Sequence, residues 1–118
     1  MHQFKELLIW QRGMDLVKTI YNLTKQLPDS EKFGLVSQIN RSAVSVPSNI
    51  AEGSSRKSEK EFSHFLRIAL GSLYELETQI ILVKNLEFVI EQKIENVLKE
   101  IEEIKKMIKS FHYKIASL

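Results

Sequence analysis

Eight residues near the end of the 118-residue chain constrain its fold most. Ile90, Ile94, Val97, Ile101, Ile104, Ile108, Phe111 and Ile115 recur at spacings of 4, 3, 4, 3, 4, 3 and 4. Alternating steps of three and four put all eight on one side of an α-helix, whereas a strand would scatter them over both faces. Glu and Lys fill the positions between, as on a helix with one side in solvent. Leu98 and Met107 widen the stripe, which suits a helical bundle rather than a bare two-stranded seam. A helix over residues 90–117 is about 40 Å long. Its apolar side needs comparable helices to cover it.

Three earlier segments have the same character. Over 58–86, Phe62, Phe65, Leu66, Ala69, Leu73, Leu76, Ile80 and Val83 form a stripe, opened by an S-x-x-E capping box of Ser58 and Glu61. Gly71 lies inside this helix at a cost of about 1 kcal/mol relative to Ala, which predicts close approach by a neighbour. Over 4–26 there are two stripes. Trp10, Met14, Val17 and Tyr21 make one; Ile9, Leu16, Ile20, Leu23 and Leu27 make the other. Two stripes mean either a wide core face or a contact with another subunit.

The remaining segment, 33–53, follows the punctuation LPDSEKFG and carries Leu35, Ile39, Ala43, Val46 and Ile50. Its period runs past Pro47. Proline removes the bond to the Ala43 carbonyl and predicts a kink, with Ser42 or Ser45 hydroxyls serving freed carbonyls. The alternative ends the helix at Val46 and starts a short one at Pro47. Gly53 is read as a C′ residue and 54–57 as the turn. Four amphipathic helices with short connections predict an all-α, antiparallel up-down-up-down four-helix bundle, a single domain over 1–118.

Composition agrees and excludes several classes. Apolar residues make up 43% and charged residues 27%, an ordinary globular balance. There is no cysteine, hence no disulfide, thiolate zinc site or thiol nucleophile. That suits a reducing cytoplasm. The start, MHQFKELLIW, has an apolar run too short for a signal peptide, and no stretch nears the roughly 20 apolar residues of a membrane span. A cytoplasmic protein with no membrane partner is expected.

Chemistry-bearing motifs are few. Glu61 and His64 form one E-x-x-H, the spacing of di-iron bundles, but such a site needs a second copy, and His112 has Lys109 three residues before it. His64 is read as a surface or network histidine. Neither a Gly-rich phosphate loop nor G-x-S-x-G occurs. The sequence predicts no enzyme, no metal and no cofactor. The acidic run from Glu95 to Glu103 reads as a solvated face with Glu95–Lys99 and Glu102–Lys106 pairs.

The helix over 33–53 also has a polar stripe: Gln38, Ser42, Ser45, Asn49 and Glu52, at spacings of 4, 3, 4 and 3. It is either a buried hydrogen-bond network that sets register or a groove for a partner chain or ligand. A hairpin turn near residue 55 puts Gln38 level with Leu73 and Arg41 with Leu70, bringing Arg41 within reach of Glu75 or Glu77.

FKELLIWQRGMDLVKTIYNLT, FGLVSQINRSAVSVPSNIAEG and EFSHFLRIALGSLYELETQI together resemble the four-helix bundle family named for the intervening sequences of bacterial 23S rRNA genes, also labelled S23. The likeness covers about residues 4–86 by motif and the rest by architecture. It implies a bundle that commonly assembles as a ring-like homopentamer. A related branch, the accessory protein of diversity-generating retroelements, binds nucleic acid and a reverse transcriptase through basic surfaces. The family motif carries over onto Gln38, Arg41, Ser45, Pro47, Asn49, Glu52 and Gly53, none of them as an active-site residue. The S23 label does not make the chain a ribosomal structural component.

Up-down topology makes the charge informative. Residues 1–12, 52–67 and 105–118 share one end of such a bundle. They hold ten basic residues (Lys5, Arg12, Arg56, Lys57, Lys60, Arg67, Lys105, Lys106, Lys109 and Lys114) against Glu6, Glu52, Glu59 and Glu61, a net of +6. The remainder, with seven basic and eleven acidic residues, is −4, and the total is +2. Lysines at helix C-termini complement the helix dipole. Clustered cations are also the footprint of phosphate binding with little sequence specificity. The expected function is binding of structured nucleic acid, RNA in preference to DNA, by a homo-oligomer. The alternative is a scaffold whose main partner is a protein such as a reverse transcriptase.

Overall fold

The computed structural model describes residues 2–116. Four helices carry it: α1 (Leu8–Thr24), α2 (Leu35–Ser54), α3 (Glu59–Asn85) and α4 (Glu91–Ala116), with no strand among the described residues. The expected end of the fourth helix at Ser117 lies outside them, as do the outermost residues of the expected 1–118 domain. Short 3₁₀ turns, Phe4–Glu6 and Asp29–Glu31, precede α1 and α2. No helix among the described residues is long and apolar enough to cross a membrane.

Each helix packs on the next, and α4 closes onto α1, in a body of 45 × 24 × 20 Å. Paired positions fall along one helix as they rise along its neighbour. Gly13 meets Pro47 and Thr24 meets Asn40 between α1 and α2. Ser45 meets Ser72 and Ser42 meets Glu75 between α2 and α3. Ser63 meets His112 and Glu77 meets Lys105 between α3 and α4. The stripes meet on the axis, where Leu16, Ile20, Ile39, Ile50, Phe62, Leu73, Ile80, Ile94, Ile101 and Ile104 are fully buried. Each such side chain contributes about 1.5–3 kcal/mol by leaving water.

Several local expectations change. The sequence predicts a first helix from Phe4, but Leu7 is extended (φ −76°, ψ 125°), so the 3₁₀ turn and α1 are separate. Phe4 packs edge-on against Trp10, and Gln11 Nε2 donates to the Lys5 carbonyl at 2.9 Å, which holds the break. Ile90 precedes α4 and is 65% exposed; its carbonyl accepts from the N–H groups of Lys93 and Ile94, so it starts the helix instead of joining the core stripe. Gly53 is not a C′ residue: α2 runs to Ser54, and no glycine among the described residues has positive φ. Its missing side chain instead admits α3, because a Cβ there would lie 2.6 Å from Phe65 Cβ.

Helix α2 continues through Pro47, which rules out the break at Val46. Pro47 is buried against Gly13 of α1. The Ser42 and Ser45 hydroxyls turn to α3 and not to freed carbonyls: Ser42 Oγ donates to Glu75 at 2.7 Å, and Ser45 Oγ bonds Ser72 Oγ at 2.8 Å. Asn49 Nδ2 donates to the Ser45 carbonyl and hydroxyl. This offset sets Gln38 level with Gln79 and Arg41 with Leu76, so the expected levels at Leu73 and Leu70 do not hold. Glu75 and Glu77 bond Ser42 and Lys105, and Arg41 is exposed with no bond to either. Gly71 faces outward, and a methyl group added there would meet nothing within 4 Å, so no described part of this chain explains the glycine.

Candidate nucleic-acid interface

The basic end is assembled by contacts among segments distant in sequence. His2 Nε2 stands 3.0 Å from Glu59 Oε1, and the His2 N–H donates to the Ser54 carbonyl. The His2 ring packs on Phe62 and Phe111, which also pack on each other at 5.6 Å. Ser63 bonds His112. The start of the chain, the end of α2, the start of α3 and the end of α4 therefore meet. Lys5, Arg56, Lys57, Lys60 and Lys114 lie on these segments, whereas Arg12, Lys105 and Lys109 bond Glu103, Glu77 and Tyr74 nearer the middle of α3 and α4.

They are not equivalent. Lys105 is buried: its ammonium sits 2.7 Å from Glu77, 2.8 Å from Glu102, and over the Tyr74 ring. Burial alone disfavours its charge, but the two carboxylate bonds outweigh it and hold its pKa above the ordinary lysine value. Lys105 thus belongs to the fold and is withdrawn from the candidates. Glu102 pairs with it and not with Lys106; likewise Glu95 reaches Lys84 and not Lys99. Arg12 is tied to Glu103 at 2.9 Å, and Lys109 donates to the Tyr74 hydroxyl.

Lys57, Lys60, Arg67 and Lys106 are exposed and have no carboxylate in ion-pair range among the described residues. Lys5 is exposed beside Phe4, and Lys114 is exposed on α4. Two clefts gather four of these groups, Lys60 and Arg67 in one and Lys106 and Lys114 in the other. One of about 650 Å³ lies at the start of α3, lined by Arg56, Ser58, Lys60, Glu61, His64, Phe65 and Arg67. The other, of about 400 Å³, lies between α1 and α4 and includes Lys106, Lys114, Met107 and Phe111.

Local sequence explains the first cleft. Ser58 caps α3 by accepting the Glu61 N–H at 3.1 Å, although the reciprocal half of the capping box is not made. With the helix start fixed, Lys60, His64 and Arg67 at i, i+4 and i+7 share its outer face. Arg56, just past α2, pairs with Glu52 at 3.0 Å and lies over the Phe65 ring at 4.8 Å. Spacing alone assigns Phe65 to the core stripe and so hides an aromatic partner for the cations. Gly53 is the signal that could have found it, since it lets α3 approach α2 here.

The polar stripe of α2 divides. Ser42 is buried, Ser45 and Asn49 are half-buried in the seam with α3, and Gln38, Arg41 and Glu52 are exposed. Pro47 and Gly53 are packing positions. The two stripes of α1 also separate. Ile9, Leu16, Ile20, Leu23 and Leu27 enter the core, whereas Met14 and Tyr21 are each 42% exposed and Trp10 and Val17 half-buried.

The model of a family described as 23S rRNA-intervening sequence protein matches residues 5–110. A solved protein of Bacteroides thetaiotaomicron VPI-5482, described as of unknown function and from the S23 ribosomal protein family, is 28% identical with a TM-score of 0.83. That similarity covers 89% of this chain and 98% of the other. No curated protein matches the chain.

Proposed function

The chain belongs to the 23S rRNA-intervening sequence protein family, and from that premise we propose that it binds the phosphate backbone of structured RNA, without enzymatic activity, through its basic end. One observation carries this reading: Lys57, Lys60 and Arg67, from the α2–α3 turn into α3, and Lys106 on α4 are exposed, with no carboxylate among the described residues within 4.0 Å of them. Lys105, by contrast, is buried between Glu77 and Glu102 and serves the fold. Contacts to phosphates give affinity without base readout.

In the same reading, copies of the chain assemble with their basic ends together, as in a ring-like pentamer, which multiplies the phosphate contacts. Fluorescence anisotropy with a structured RNA, the protein first freed of nucleic acid, tests this. Affinity is expected to fall linearly with salt on log–log axes, each phosphate contact adding about 0.7–0.9 to the slope. Absence of binding at low salt would mean that the cations only complement helix dipoles.

A second reading, a scaffold for a protein such as a reverse transcriptase, is favoured by the apolar stripe of Trp10, Met14, Val17 and Tyr21. Val44 on α2 is likewise 40% exposed. Partner capture that survives reversal of the basic end would select it.

A further inference from the structure

Phosphate contacts need no aromatic group, yet the larger basic cleft has one at its wall. The Phe65 ring is half-buried against α2, and the Arg56 guanidinium covers it at 4.8 Å. Glu52 holds that guanidinium by a 3.0 Å bond to Nη2. His64 meets the same ring edge-on at 5.6 Å. Arg56 is itself exposed and lines the cleft beside Phe65, so the cation over the ring is open to a bound group. Lys60 and Arg67 line the same cleft, and Glu61 is its one carboxylate.

From this juxtaposition we infer that the cleft seats one unpaired nucleotide, its base stacked on the Arg56–Phe65 pair and its phosphate on Lys60 and Arg67. Guanidinium planes and aromatic rings are the groups on which splayed bases stack. A volume of about 650 Å³ is in the range of clefts that hold ligands of this size. Stacking needs no particular base, so the site recognises a single-stranded end, loop or bulge next to a duplex, not a sequence. The inference rests on the nucleic-acid reading and adds to it the form of RNA preferred.

The test compares three RNAs at one salt concentration: a blunt hairpin, the hairpin with a short single-stranded tail, and the hairpin with an abasic tail of equal length. The two tails carry the same phosphates, so their difference isolates the bases. The natural tail is expected to bind at least about five-fold more tightly than the abasic one. Arg56→Lys keeps the charge but cannot stack, and Phe65→Leu removes the ring; in both, the ratio of natural-tail to abasic-tail affinity should fall to about one, whatever the change in blunt-hairpin binding. Should Phe65→Leu disturb the packing against Gly53, Arg56→Lys decides alone, with an unchanged thermal unfolding curve as its control for folding. Equal binding of the two tails, or a preference that persists in Arg56→Lys, overturns the inference while backbone binding stands. Failure of the unaltered protein to bind any of the three RNAs overturns both.

Discussion

Gly53 and Gly71 both lie inside helices, and their surroundings give them opposite roles. A methyl group at Gly53 would sit 2.6 Å from Phe65 Cβ and 2.8 Å from Phe62 Cδ1. Phe65 Cβ is fixed to the α3 backbone, so the helices would have to part. Gly53→Ala is expected to lower the urea midpoint by an amount equivalent to about 1–3 kcal/mol; an unchanged midpoint would show that the contact is soft. Gly71 meets nothing, and its outward position leaves its helix cost without compensation from the described chain. Glu100 offers a test through pH. Burial raises its carboxyl above the ordinary value, against the lowering effects of a Thr19 hydrogen bond and nearby Arg12. A raised carboxyl favours the folded state only when protonated. The ionised form is therefore a liability above the folded pKa that vanishes below the ordinary value of 4.5. Glu100→Gln should raise the melting temperature at pH 7, and the gain should close as pH falls through the carboxylate range. A gain that stays constant with pH would assign it to something other than charge. None of this was legible in the sequence, because spacing along one helix cannot say which residue of another helix comes near.

At the scale of elements, the four helices were legible because apolar period is a local signal. The stripes of Leu16 and Ile20, Ile39 and Ile50, Leu73 and Ile80, and Ile101 and Ile104 lie at the core as their spacing predicts. Ends and register were not. The break at Leu7 depends on Phe4 meeting Trp10, and the offset of α2 against α3 depends on a turn whose length composition does not set. That offset makes the α2 stripe a seam, with Asn49 bonded to Ser45 and Ser45 to Ser72. Asn49→Leu removes two bonds and leaves the Ser45 hydroxyl with fewer partners. A loss equivalent to about 1–3 kcal/mol is expected in thermal or urea unfolding. An unchanged melting temperature would mean that solvent replaces the seam at no cost.

For the whole molecule, the decisive property is the separation of charge between the ends. Counting charge by topology gathers candidate cations but cannot rank them. Burial between Glu77 and Glu102 removes Lys105 from them, and Phe65 becomes part of the surface only through Arg56. The most direct measurement compares RNA affinity of two triple charge reversals at one low salt concentration. Lys57→Glu/Lys60→Glu/Arg67→Glu alters the basic end; Lys18→Glu/Lys25→Glu/Lys32→Glu makes the same change in net charge elsewhere. The account predicts that the first loses binding by about ten-fold or more beyond the second. Equal losses would show that net charge, and not the basic end, draws RNA to the protein, and would contradict it.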